Sequence, residues 1–188
     1  MCGILVIILL VLPVFTAVVS GKGITQLQEN KMDTDKNANL KNAVITEAMK
    51  LSEEDFCEQA LIAVLAIAKN NITANNIKIT ADMEKTDYNK ELYSKLEKLY
   101  EKADLSISCK GETVYIPTAT LSKGYTEADD SYPYMKSVAS PWDCTNKNFV
   151  YEKEYPEGIS LHGINYLCNE GMSAKEALKW YLPDFDIE

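Results

Sequence analysis

An almost uninterrupted apolar segment in the middle of the chain places the strongest limit on its fold. Residues 60–68, with the sequence ALIAVLAIA, contain no polar side chain. They lie within a longer segment, residues 56–71, whose composition predicts a helix. A helix that is apolar on every side is buried on every side. We therefore expect residues 56–71 to form the central helix of the domain, with the other elements packed around it.

The segments on either side of this helix show two different periodicities. Apolar residues recur at spacings of three and four over residues 40–51 and over residues 88–103. This spacing predicts a helix before the central one and a second, amphipathic helix after it. Residues 105–116 instead alternate between apolar and other side chains, and Lys110-Gly111 interrupts the alternation at a position that suits a tight turn. They predict a β-hairpin or small antiparallel sheet.

Two short patterns predict where helices begin. Ser173, with Glu176 three residues later, has the pattern of a capping box at the start of a last helix, residues 173–181. Ser52 followed by Asp55 has a similar pattern and predicts a cap for the central helix. Helices together with a small sheet place the chain in the α+β class, as a single domain.

The first residues of the chain differ from the rest. Residues 3–19 are uncharged and nearly all apolar, and their length is at the lower limit for a helix that crosses a bilayer. A cleaved signal peptide normally has a basic start and a small-residue cleavage site, and neither is clear here. Residues 20–38 are polar and read as a tether to a domain at residues 39–188. We expect a single-pass membrane anchor with the domain outside the cytoplasm; a secreted protein is the alternative.

Charge and cysteine content limit the partners and cofactors. The net charge of −9 argues against binding to nucleic acid, which requires a basic surface. Outside the cytoplasm Cys57, Cys109, Cys144 and Cys168 can pair in three ways, among which the sequence does not choose. One histidine, His162, cannot support a His-rich metal site. We predict no metal and no cofactor, with a zinc site of cysteines and His162 as the alternative.

Four stretches of the chain, taken in order, carry a resemblance to a known family. They are residues 39–47, NLKNAVITE; residues 56–71; residues 132–143, YPYMKSVASPWD; and residues 162–181. Together they resemble stage II sporulation protein D and the related amidase-enhancer domain, and the third stretch is the most specific. The resemblance covers the chain from about Asn39 to its end.

Members of that family are lytic transglycosylases, which cleave peptidoglycan strands after an amidase has removed the stem peptides during engulfment of the forespore. The resemblance therefore implies glycan strands as substrate, with a cell-wall amidase and other engulfment proteins as partners.

The resemblance also implies a set of site residues. Glu47 occupies the position of the catalytic glutamate, and Tyr134 and Lys136 complete the catalytic site. Lys69, which stands where the family has an arginine, and Ser122 and His162 are the implied substrate-binding residues. His162 beside Gly163 is alternatively a structural turn residue.

The chemistry of the reaction agrees with a single glutamate at the centre. Cleavage needs a carboxylic acid that protonates the leaving oxygen and then acts as a base. One carboxylate can perform both steps when the sugar's own hydroxyl attacks. An apolar neighbourhood favours the protonated form of such an acid, and Glu47 lies among Val44, Ile45 and Ala48. The ordinary alternative is that Glu47 is a solvated residue of an amphipathic helix.

The chain also differs from the family pattern in ways that indicate a second function. Lysine at position 69 lacks the planar fork of arginine, and Ala119 stands where the family usually has a histidine. Only 18 residues separate Asp143 from His162, where the family has a longer stretch. These differences favour a catalytically degenerate module that binds glycan or scaffolds an amidase. An unrelated secreted α+β domain is the third alternative.

The enzyme hypothesis makes a geometric prediction. Glu47, Tyr134 and Lys136 are expected to meet at one concave surface, with Lys69 at its edge.

Overall fold

The structure, a computed structural model, describes residues 37–75, 89–128 and 130–188. The predicted anchor, residues 3–19, lies outside the described residues, as does the tether up to residue 36. Within the described part of the chain no helix has the length and apolar character needed to cross a membrane. Residues Asn39–Glu188 form one compact unit.

Five α-helices and four two-residue strands make up the described structure, which confirms the α+β class. The helices are α1, residues 37–51, α2, Glu58–Ala74, α3, Lys90–Leu99, α4, Leu161–Asn169, and α5, Ala174–Tyr181. Short 3-10 helices cover Tyr100–Lys102 and Pro141–Thr145. The strands are β1, Ile107–Ser108, β2, Thr118–Ala119, β3, Ile159–Ser160, and β4, Asp186–Ile187. β1 pairs antiparallel with β4, and β2 pairs parallel with β3.

The apolar helix α2 is the centre of the domain, as predicted. Every residue from 60 to 68 is at most 7 % exposed, and α2 packs against α3, α4 and α5. Because its apolar residues surround the helix, α2 needs partners on all sides, and these three helices supply them.

Shortening a side chain at the centre of α2 should therefore destabilise the domain. Leu65 is fully buried, so we expect Leu65→Ala to lower the free energy of unfolding by about 2–5 kcal/mol because it leaves a cavity. Glu97→Ala on the exposed face of α3 is the control and should change it by less than about 0.5 kcal/mol. Equilibrium urea unfolding measures both. Equal effects for the two variants would contradict the central position of α2.

The predicted cap of α2 is wrong. The N-cap residue is Cys57, which makes no side-chain capping bond, and its backbone N–H donates to Asn165 Oδ1 of α4 at 2.9 Å. Ser52 Oγ donates instead to the carbonyl oxygen of Ala48 at 2.8 Å. The serine thus satisfies the last turn of α1, a local bond that competes with capping of the next helix.

The predicted β-hairpin is only partly present. Its turn is confirmed, because Lys110 and Gly111 both have positive φ and Cys109 pairs with Glu112 across them. The second strand of the hairpin, however, does not pair with the first, and β1 takes β4 from the end of the chain as its partner.

Two asparagines of α2 explain this difference. Asn71 Oδ1 accepts from the Ile116 N–H at 2.7 Å, and Asn71 Nδ2 donates to the Ile116 carbonyl at 2.8 Å. Asn70 Nδ2 donates to the Val114 carbonyl at 2.8 Å. The side-chain amides thus occupy backbone groups that a neighbouring strand would otherwise bind.

A buried carboxylate joins the C-terminal elements. Asp143, in the second 3-10 helix, is 1 % exposed. Its Oδ2 accepts from Ser122 N, Ser122 Oγ and Ser140 Oγ at 2.9, 2.6 and 2.9 Å. Its Oδ1 accepts from Ser160 Oγ at 2.9 Å. These four bonds connect the loop after β2, the 3-10 helix and the start of α4, and they compensate for the burial of a charge.

The first turn of α4 lies against a tyrosine of α5. Ser140 uses its hydroxyl proton for Asp143, so in the 2.6 Å contact between Ser140 Oγ and Tyr181 Oη the tyrosine donates. Tyr181 Oη also accepts from Trp142 Nε1 at 3.1 Å, and burial raises the pKa of Tyr181. A Cβ at Gly163 would lie 1.9 Å from Tyr181 Oη. Glycine is therefore the residue that permits this packing.

Candidate functional site

Glu47 lies on α1 at the boundary between core and solvent. Val44, Ile45 and Ala48 beside it are fully buried, whereas the Glu47 side chain is 32 % exposed. Its Oε2 accepts from Lys50 Nζ at 2.9 Å, one turn along the same helix. The apolar neighbours that the sequence predicted for Glu47 are thus present. The carboxylate nevertheless remains partly exposed and is paired with Lys50, which the sequence did not indicate.

The charge of this carboxylate acts on Tyr115. Burial, then Tyr132 and then the Glu47 carboxylate each raise the pKa of Tyr115, so Glu47 is close enough for its charge to act on the phenol. The carbonyl oxygen of Tyr115 accepts from Tyr134 Oη at 2.7 Å. Tyr115 therefore connects the predicted acid to the predicted catalytic tyrosine.

Tyr115, Tyr132 and Tyr134 form a tyrosine cluster. The Tyr115 and Tyr132 ring centroids are 5.9 Å apart, and Tyr132 and Tyr134 meet edge to face at 6.2 Å. Tyr134 also meets Phe185 edge to face at 6.1 Å, and burial raises the pKa of Tyr134. Three tyrosine rings, of which Tyr115 lies near the Glu47 carboxylate, provide aromatic faces for a polar, ring-shaped ligand.

Lys136 lies two residues after Tyr134, beyond a turn in which Met135 N donates to the Tyr132 carbonyl. It forms an ion pair with Asp184, with both side chains about half exposed, and Asp184 directly precedes Phe185, which packs on Tyr134. The described contacts thus connect Tyr134 to Tyr115 and to Phe185, and Lys136 to Asp184 beside Phe185, while Glu47 acts on Tyr115 through its charge. None of those contacts joins Glu47 directly to Tyr134 or Lys136.

Lys69 has a different set of neighbours. Its Nζ lies 3.5 Å from Asp104 Oδ1, and it lines a groove with Asn70, Thr73 and residues 104–107. Glu47, Tyr134 and Lys136 are not in the lining of this groove. The ion pair of Lys69 is exposed, and such pairs contribute little to stability.

Ser122 lies in the interior. It is buried, its hydroxyl proton is donated to Asp143 at 2.6 Å, and its Oγ accepts from Gly124 N at 3.3 Å. These bonds hold Ser122 in the loop after β2, and the substrate-binding role that the resemblance implies for it stays a prediction.

His162 lies in the first turn of α4 and contacts three neighbouring side chains. Asn146 Oδ1 accepts from Asn148 N at 2.9 Å, which turns Asn146 Nδ2 toward His162 Nδ1 at 3.2 Å. His162 Nδ1 then accepts, and Nε2 donates to Glu53 Oε1 at 3.0 Å. The ring edge also meets Phe56 at 5.5 Å. These contacts favour the structural alternative for His162, since both nitrogens are occupied.

A separate aromatic platform is formed by Trp142, which is partly buried, and by Tyr166 and Trp180, which are exposed. The Trp142 and Tyr166 rings are stacked at 5.3 Å with an interplanar angle of 7°, and Trp180 lies 5.6 Å from Trp142. Tyr166 and Trp180 are 42 % and 41 % exposed, and Trp180 Nε1 donates to the Ala139 carbonyl at 2.9 Å. Exposed, rigid aromatic faces are typical of binding surfaces.

Three features of this region have no clear signal in the sequence. Tyr115 alternates with Val114 and Ile116, so the pattern indicated a strand face and no role near Glu47. Lys50 reads as an ordinary helix-surface lysine. The platform residues come from the second 3-10 helix, α4 and α5, and the packing of these three elements brings them together.

In the residues that the structure describes, no group of three or more His, Cys, Asp or Glu side chains is placed to hold a metal ion. In comparisons with known proteins, no family model and no curated sequence matches this chain.

Proposed function

We propose that this chain cleaves peptidoglycan glycan strands from which the stem peptides have been removed, as a lytic transglycosylase of the engulfment step in sporulation. The observation that supports it best is that the Glu47 carboxylate lies near enough to Tyr115 to raise the pKa of its phenol, while the Tyr115 carbonyl accepts from Tyr134 Oη at 2.7 Å. The four stretches that resemble stage II sporulation protein D contribute the substrate class. The domain then lies outside the cytoplasm, anchored by residues 3–19 or secreted after their removal, because the strands lie there.

In the proposed reaction Glu47 first donates a proton to the glycosidic oxygen as the bond to the anomeric carbon breaks. The same carboxylate then accepts the proton of a hydroxyl on the same sugar, which attacks that carbon and closes an anhydro ring. No water is consumed, and Glu47 is protonated again at the end. Tyr134 and Lys136 orient the sugar and stabilise developing charge. Lys50 must release the carboxylate before a sugar can approach it.

The test is the appearance of anhydro-sugar ends. We expect the full-length chain in detergent to produce them from amidase-treated strands, measured by mass spectrometry. Glu47→Gln should lower the rate by at least about 100-fold, because amide nitrogen and oxygen cannot transfer the proton. Glu97→Gln, an exposed glutamate of α3, is the matched control and should keep the wild-type rate. Anhydro ends produced equally by the Glu47→Gln variant would refute the assignment.

The aromatic platform favours a second candidate function. A module that binds glycan strands without cleaving them, or that holds an amidase on them, needs exposed aromatic faces and no general acid. Trp142, Tyr166 and Trp180 supply such faces. If this function is correct, neither the wild-type chain nor Glu47→Gln produces anhydro ends. Both should then co-sediment with insoluble strands with affinities that agree within a few-fold.

A further inference from the structure

Two cysteines that are far apart in sequence meet where α2 begins and α4 ends. Cys57 is the N-cap residue of α2, and Cys168 lies in the last turn of α4. The Cys57 N–H donates to Asn165 Oδ1 at 2.9 Å. Asn165 precedes Cys168 by three residues, so both lie on one face of α4. Both thiols are free in the structure, and Cys57 lies close enough to Cys168 to contribute to the raised pKa of its thiol.

The other two described cysteines have different surroundings. Cys109 is buried at the turn after β1, near the Tyr134 phenol. Cys144 is exposed in the second 3-10 helix, and its Sγ lies 2.9 Å from a Cβ built at Gly124. Of the three pairings that the sequence left open, the structure therefore supports the one that contains Cys57–Cys168.

We propose that Cys57 and Cys168 form a disulfide bond that ties the start of α2 to the end of α4. The bond is a modification site independent of the Glu47 chemistry. Its formation in the cell rests on the extracytoplasmic location of the proposed function, since disulfides persist in oxidising compartments. Its formation in the purified protein does not depend on that location.

The chemistry proceeds by two exchanges with a low-molecular-weight disulfide such as oxidised glutathione. The Cys57 thiolate attacks the disulfide, forms a mixed disulfide and releases one glutathione thiolate. Cys168 then loses its proton, attacks the Cys57 sulfur and releases the second glutathione. Two protein thiols are oxidised and one glutathione disulfide is reduced to two thiols. Burial, with smaller contributions from Cys57, raises the pKa of Cys168 to about 12. The half-buried Cys57 therefore reacts first.

The bond should stabilise the folded state strongly. It closes a loop of about a hundred residues, and long loops are those in which a cross-link most restricts the unfolded chain. For a domain of this size we expect the oxidised form to have a Tm about 5–15 °C above that of the reduced form.

Peptide mapping and thermal unfolding test the proposal. The full-length protein in detergent is incubated with oxidised glutathione, alkylated without reduction, digested and analysed by mass spectrometry. We expect a cross-linked peptide pair that contains Cys57 and Cys168. The difference in Tm between oxidised and reduced protein should disappear in Cys57→Ser and persist in Cys144→Ser. Comparing the two redox forms of one variant removes any effect of the substitution itself on folding.

Two outcomes would overturn the proposal. The first is a stable glutathione adduct on Cys57 without the internal cross-link, and the second is a predominant link through Cys109 or Cys144. Cleavage of glycan strands is assayed on the reduced protein. If the reduced protein produces no anhydro-sugar ends, the proposed function is contradicted and the disulfide proposal is not affected.

Discussion

Asp143→Ala should lower the free energy of unfolding by about 3–5 kcal/mol. The carboxylate is 1 % exposed and accepts four hydrogen bonds, three from serine hydroxyls and one from the Ser122 N–H. Alanine removes every acceptor at once and leaves these donors in a cavity. A bond to a charged group contributes about 1.5–3 kcal/mol. We expect less than the sum because the hydroxyls can rotate and water can enter.

Two variants separate this effect from simpler ones. Asp143→Asn keeps one acceptor oxygen and nearly the same shape, so we expect a smaller loss of about 1–3 kcal/mol. Asp55→Ala removes an exposed aspartate and should change stability by less than about 0.5 kcal/mol. Equilibrium urea unfolding measures all three. If Asp143→Ala behaves like Asp55→Ala, the carboxylate does not join the C-terminal elements.

The elements that were predicted correctly are those determined by residues that lie close together in the sequence. The apolar run of α2 requires burial whatever its neighbours are. The capping box at Ser173 and Glu176 is present because both of its bonds lie within one turn. The turn at Lys110-Gly111 is likewise determined by adjacent residues.

The elements that were missed depend on distant partners. The strand partner of β1 comes from the end of the chain, and Asn70 and Asn71 occupy the backbone that was expected to pair. Helix α4 contains glycine and asparagine, which are weak helix formers. Packing against Tyr181, together with the Ser160 cap on Gly163 N at 2.9 Å, stabilises it nevertheless.

The same distinction between local and distant partners applies to the candidate site. The residues of the candidate site were predicted from a resemblance between separate stretches of sequence. Such a resemblance does not show which residues of different stretches touch each other in the fold. Tyr115 feels the charge of Glu47 and accepts from Tyr134 through its carbonyl oxygen, and no sequence pattern indicates this arrangement. Ser122 is bonded to Asp143 and His162 to Glu53, and these partners are likewise distant in sequence.

Gly163→Ala should destabilise the domain by about 1–3 kcal/mol, because the added methyl group overlaps atoms of α5 and the 3-10 helix. The built Cβ lies 1.9 Å from Tyr181 Oη, 2.8 Å from Trp142 Nε1 and 2.9 Å from Ser140 Oγ. These atoms are linked to one another by hydrogen bonds and to Asp143 through Ser140, so they cannot separate without loss of those bonds. The sign of the effect is informative, since glycine to alanine within a helix otherwise stabilises by about 0.5–1 kcal/mol.

A double-mutant cycle with Tyr181→Phe tests the cause. Tyr181→Phe alone removes the hydroxyl and should cost about 1 kcal/mol through its lost bonds to Ser140 and Trp142. In the double variant the atom nearest the new methyl group is gone. We therefore expect the combined loss to be smaller than the sum of the single losses by about 1 kcal/mol. Thermal or urea unfolding measures the four proteins. A stabilising Gly163→Ala, or strict additivity with Tyr181→Phe, would show that α4 and α5 do not approach each other at this position.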